Sequence, residues 1–136
     1  MKLLKWIEMH RLAKCCMVVI DEAIRVVDAD ESRESVLNAI ECVQKLADQG
    51  FTPAMQCLAL MHADEQRWLY DAAKAEENWV KAAELGDIEA MYDLGMFYYA
   101  GRSDRSRDVV SGHYWMKRCA DAGHPLAIKF LKAKYA

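Results

Sequence analysis

Four histidines, five cysteines and several acidic runs are the residues of this 136-residue chain with the means to do chemistry. A zinc centre wants ligands one helical turn apart, as in HExxH, or a close cysteine pair such as CxxC. His10, His62, His113 and His124 stand apart from one another, and Cys15, Cys16, Cys42, Cys57 and Cys119 form no CxxC. There is no G-x-S-x-G nucleophile turn, no glycine-rich phosphate loop and no dinucleotide fingerprint. Glu76 and Glu77, like Asp28, Asp30 and Glu31, lie in polar runs that read as solvated helix faces or caps. No catalytic residue, metal ligand or cofactor is therefore assigned. An enzyme or metal protein with an unrecognised site stands as an alternative reading.

The side chains with a clearer use are those that make contacts. Between residues 88 and 100, Ala90, Leu94, Phe97 and Tyr98 share one side of a helix at 100° per residue. Glu89, Tyr92, Met96 and Tyr99, at steps of three, four and three, share the other side. Tyrosine and methionine there offer large contact area at small entropic cost, or adaptable packing. We expect Tyr92, Met96 and Tyr99 to anchor a partner protein, with Glu89, Gln56, Leu60 and Lys129 beside them.

A repeated helix ending must position these residues. Ala47-Asp48-Gln49-Gly50 with Ala54 returns as Ala83-Glu84-Leu85-Gly86 with Ala90, and again as Ala120-Asp121-Ala122-Gly123 with Ala127. The glycines follow one another at 36 and 37 residues. That period marks helical hairpins, each too small to bury its own apolar face. The spacing predicts about seven helices: Lys2 to Val27, Ser32 to Gln49, Pro53 to Ala63, Asp71 to Leu85, Ile88 to Ala100, Asp108 to Ala122, and one from Pro125 to near the end. In the first, Leu3, Trp6, His10, Ala13, Met17, Ile20, Ile24 and Val27 form a stripe. Thr52 is placed as a cap ahead of Pro53. The links are short, so successive helices should be antiparallel neighbours in one all-α domain spanning residues 1–136.

Ala90, Leu94-Gly95, Tyr98, Gly101, Asp108, Trp115, Ala120, Gly123 and Ala127 together resemble the pattern of Sel1-like repeats, relatives of the tetratricopeptide repeats. The preceding unit matches at Ala54, Leu58, Asp71, Ala75, Ala82-Ala83 and Gly86. It departs at Ala59, His62 and Asn78, and Trp79 sits one position beyond the pattern's tryptophan. Gly112, standing where the earlier unit has Ala75, reads as a destabilising departure of roughly 1 kcal/mol. The resemblance covers residues 36–136 and implies a right-handed α/α superhelix of antiparallel pairs that binds another protein in a concave groove. Residues 1–35 lack the pattern and read as an N-terminal helix and cap, or as a docking or homodimerising surface.

Composition narrows the partner. A net charge of −3 and the interleaving of Arg102, Arg105 and Arg107 with Asp104 and Asp108 argue against nucleic acid. The longest uninterrupted apolar run near the start, Cys15 to Ile20, is too short for a signal core or a membrane span. Unpaired cysteines suit a reducing compartment, so cytoplasmic residence is expected. The function so read is a non-enzymatic adaptor or regulator. A narrower alternative is an immunity protein that neutralises a bacterial toxin; a secretion or signalling component would be another occupant of the groove.

Overall fold

The computed structural model describes residues 16–29 and 32–135. It is helical, and α1 is described over residues 16–28. Then follow α2 (Arg33–Asp48), α3 (Thr52–Ala63), α4 (Ala72–Glu84), α5 (Ile88–Ala100), α6 (Val109–Asp121) and α7 (Pro125–Tyr135). The only extended pairing among the described residues is a bridge between Arg102 and Arg105. The chain divides into two compact units, residues 1–58 and 59–136, and the division falls within α3.

The repeated glycines occupy one and the same device. Gly50, Gly86 and Gly123 have φ of 88°, 94° and 93°, the left-handed region that costs a residue with a Cβ. Each donates its amide to the carbonyl two places inside the helix end: Ala47, Ala83 and Ala120 at 2.9, 3.0 and 2.9 Å. The next amide, of Phe51, Asp87 or His124, reaches back to Leu46, Ala82 or Cys119. Two otherwise orphaned carbonyls are satisfied at every ending, and the chain is turned into the following helix within a few residues.

Starts are capped as locally. Ser32, Asp71, Asp87 and Asp108 accept the amides of Ser35, Lys74, Ala90 and Ser111. Thr52 is not the cap expected of it. The Phe51 carbonyl accepts from the Met55 amide at 3.3 Å, so the helix begins one residue early and takes Thr52 into its first turn.

In the unit of residues 1–58, α1 buries Ile20, Ala23, Val26 and Val27, while Met17 and Ile24 of the expected stripe are exposed. The buried seam is narrower than the sequence pattern indicates. Leu3, Trp6, His10 and Ala13 lie outside the described residues. α2 buries Val36, Val43 and Ala47. Burial pushes the Cys57 thiol up to about 11, with Asp21 adding to the effect, so Cys57 serves as a small apolar filler.

In the unit of residues 59–136, α4 packs on α5, α5 on α6 and α6 on α7. The crossing of α5 and α6 is made by two glycines. A Cβ on Gly112 would meet the Tyr99 ring at 3.0 Å and the Gly95 carbonyl at 3.2 Å; one on Gly95 would meet the Met116 methyl at 3.0 Å. Gly112 is thus the residue that lets α6 lie against α5, and the sequence reading of it as a mere departure is corrected. Trp79 is buried against Phe97 at 5.3 Å, and Trp115 is buried under Arg118. The one-place shift of Trp79 leaves it in the core.

Candidate functional site

α5 is enclosed on most of its circumference. Ala90, Met91, Leu94, Gly95, Phe97 and Tyr99 are buried, and Tyr98 is half-buried. Glu89, Tyr92, Asp93 and Met96 are not buried, and their spacing of i, i+3, i+4, i+7 makes them a single open stripe. Three of the four are expected contact residues; Asp93 is the one the sequence reading missed.

Tyr99 has a different place. It is 6% exposed, packs on Phe130 at 4.9 Å, lies under the Lys134 ammonium, and its hydroxyl is 2.8 Å from that of Tyr135. Its phenol is pushed up by burial and by that hydroxyl. The expectation that Tyr99 anchors a partner is therefore corrected: α7 covers it, because Tyr99 falls at the edge of the stripe nearest Phe130. Tyr92 is half covered in the same way, stacked on His124 at 4.8 Å. Leu60 on α3 is 55% exposed, and Lys129 on α7 is exposed. Gln56 is half-buried and belongs to the unit of residues 1–58.

His124 fixes the end of the stripe. Its Nδ1 accepts the Ala127 amide at 3.3 Å and so caps α7, leaving Nε2 to face Glu89 Oε1 at 3.0 Å. The histidine is buried while Glu89 keeps 68% of its side chain in solvent, which orients one carboxylate at the mouth of the stripe. Asp93, one turn further on, is half-buried. Burial raises its carboxyl to about 6, Glu89 and Asp87 add to this, and His124 opposes it. Cys119 beneath donates to the Ile88 carbonyl and its thiol is raised to about 11, chiefly by burial, so it is unreactive at neutral pH. Among the described residues no three of His, Cys, Asp or Glu gather as a metal site.

A second polar cluster straps the α5–α6 link. Glu76 accepts from Tyr98 at 2.6 Å and from Arg105. Glu65 accepts both the amide and hydroxyl of Ser103 at 2.6 and 2.7 Å, and Tyr70 donates to Asp104 at 2.5 Å. Arg102 lies over the Phe97 ring at 4.7 Å. A cavity of about 460 Å³ opens beside the cluster, lined by Glu76, Tyr98 and Arg105 among others. Burial raises Glu76, but the bonds from Tyr98 and Arg105 outweigh it and hold the carboxyl below its usual range. Glu76 is therefore not the solvated group the sequence pattern indicates, and it pins Arg105 of the α5–α6 link. Every charge of that cluster named here already has a partner in the chain, so its use is to hold the loop.

A crystallised Sel1 repeat protein from Oxalobacter formigenes superposes with a TM-score of 0.64 at 22% identity, over 98% of this chain and 99% of that one. The chain has the Sel1-repeat fold. A sequence relative is the ERAD-associated E3 ubiquitin-protein ligase component HRD3A of Arabidopsis thaliana, 35% identical over 54 residues. That match spans 40% of this chain and 8% of the plant protein. No family model matches the chain. Among the described residues no helix is long and apolar enough to cross a membrane.

Proposed function

We propose that this chain is a non-enzymatic protein-interaction module, and that its docking face in the unit of residues 59–136 is the open stripe of α5 together with Leu60 and Lys129, which hold the corresponding repeat positions of α3 and α7. The observation that carries the reading is the asymmetry of α5. A helix buried over most of its circumference keeps Glu89, Tyr92, Asp93 and Met96 in reach of solvent, and Tyr92 and Met96 among them are large contact residues that a merely solvated face does not need. Met96 and Leu60 supply apolar area, Tyr92 supplies a ring held in place by its stack on His124, and Glu89 and Lys129 orient what binds. Sel1-repeat folds serve generally as protein-interaction modules, which agrees with this use.

The test is a photo-crosslinking amino acid placed singly at Leu60, Met96 and Val110 in the full chain, expressed in its source cells. Val110 is 82% exposed on α6 and serves as the control. One protein should crosslink from Leu60 and Met96 and not from Val110. Crosslinks from Val110 alone, or from none of the three, would overturn the reading. Recovery of a secreted toxin at Met96 would select the immunity role over a general adaptor.

A further inference from the structure

The register of the repeats makes Asp93 anomalous. Thirty-six residues earlier the equivalent position is Cys57, and thirty-seven later it is Phe130. Cys57 is buried and Phe130 is half-buried against Tyr99, so the position is a packing position in the helices to either side in sequence. α5 alone of the three carries a carboxylate there. Among the described residues none donates a hydrogen bond to Asp93 or forms an ion pair with it. Among the described residues its near charges are Glu89 one turn back and Asp87, both repelling, with His124 opposing them. His124 is itself committed to Glu89 and to the Ala127 amide.

A half-buried carboxylate without a partner costs free energy in the unbound chain. Where a sequence breaks its own repeat pattern without a local gain, the gain is to be sought in what binds. A basic side chain entering the stripe would recover the lost solvation at Asp93 and meet a second carboxylate at Glu89, which His124 already holds in place. The aliphatic stem of that side chain would lie along Tyr92 and Met96, the two residues between and beyond the carboxylates. An acidic or purely apolar occupant would leave Asp93 more deeply desolvated and still unpaired, a several-fold loss of affinity or worse.

We propose that the occupant of the α5 stripe is a peptide segment that lays a lysine or arginine between Asp93 and Glu89 and an adjacent apolar side chain on Met96. This rests on the reading of the stripe as a docking face, and adds to it the chemistry of the partner.

The experiment pans a displayed library of random 12-residue peptides on the immobilised full chain. The best peptide is then synthesised with its basic residue intact or replaced by norleucine, and both are titrated calorimetrically into wild type, Asp93→Asn and Met96→Arg. The enriched peptides should share one lysine or arginine with an apolar neighbour. Asp93→Asn should weaken the basic peptide by about tenfold or more, since one such pair is worth at least that factor. The norleucine peptide should bind Asp93→Asn at least as well as wild type, because the amide carries no charge to desolvate. Asparagine keeps the shape of aspartate, and a thermal melt of the variant checks that it is folded. Peptides without a basic residue that still lose binding in Met96→Arg would overturn this inference and leave the docking face standing. Enrichment of no peptide sensitive to Met96→Arg would overturn both together.

Discussion

Replacing Gly112 with alanine sets two physical effects against each other. In an exposed helix the substitution stabilises by about 1 kcal/mol, because alanine loses less backbone entropy than glycine on folding. At this position the new Cβ stands 3.0 Å from Tyr99 Cδ2, 3.2 Å from Cε2 and 3.2 Å from the Gly95 carbonyl oxygen. The ring cannot retreat freely, because Phe130 packs on it and its hydroxyl meets Tyr135. The carbonyl belongs to a helix backbone. Overpacking of this kind costs about 1–3 kcal/mol, and two rigid neighbours place it in the upper half of that range. The net expectation is a loss of about 1–2 kcal/mol, or about 4–8 °C in Tm for a chain of this size. Gly95→Ala should cost less, since its close contact at 3.0 Å is the flexible end of Met116 and its backbone contacts are at 3.4 Å. Urea unfolding followed by far-ultraviolet circular dichroism gives both values. A Gly112→Ala variant as stable as wild type, or more so, would refute the reasoning. So would a Gly95→Ala variant that suffers the greater loss.

Further outcomes follow from other parts of the molecule. Gly86→Ala should lower stability by about 1 kcal/mol in the same assay although nothing lies within 4 Å of the added methyl, because the cost is the positive φ alone. Asp93→Asn should be more stable than wild type at neutral pH. The folded carboxyl is raised to about 6, above its unfolded value, so its ionised form is penalised by folding; the penalty is absent below about pH 4, grows up to pH 6 and stays above it. Thermal melts of the two proteins should therefore converge at pH 4 and separate at pH 7. Glu76→Gln should speed amide exchange in the loop 101–108 by several-fold, since Tyr98 and Arg105 lose a charged acceptor. In wild type the same loosening should appear as the pH falls through the lowered range of Glu76, where protonation removes the charge.

What the amino-acid order disclosed was local and periodic. The endings at Gly50, Gly86 and Gly123 were legible because a left-handed cap is set by the residue that forms it and by the carbonyls just behind it. Gly112 was misread because its reason lies in Tyr99 and Gly95 on another helix, and helix propensity carries no information about a crossing. Tyr99 was misread for a related cause: the spacing that puts it beside Met96 does not show that Phe130 and Tyr135 will cover it. Glu76 looked like a solvated charge, since its pairing with Arg105 joins residues 29 apart. Asp93 could have been noticed by laying Cys57, Asp93 and Phe130 in register, where a carboxylate interrupts two apolar residues.

The most direct measurement uses methyl-labelled methionine in the full chain and the protein that crosslinks at Met96. Met96 is half-buried on the open stripe, whereas Met91 and Met116 are buried in the core. On addition of that partner the Met96 methyl resonance should shift or broaden while those of Met91 and Met116 stay in place. Saturating binding with the Met96 methyl unmoved would show that the partner sits elsewhere and that the open side of α5 is not its seat.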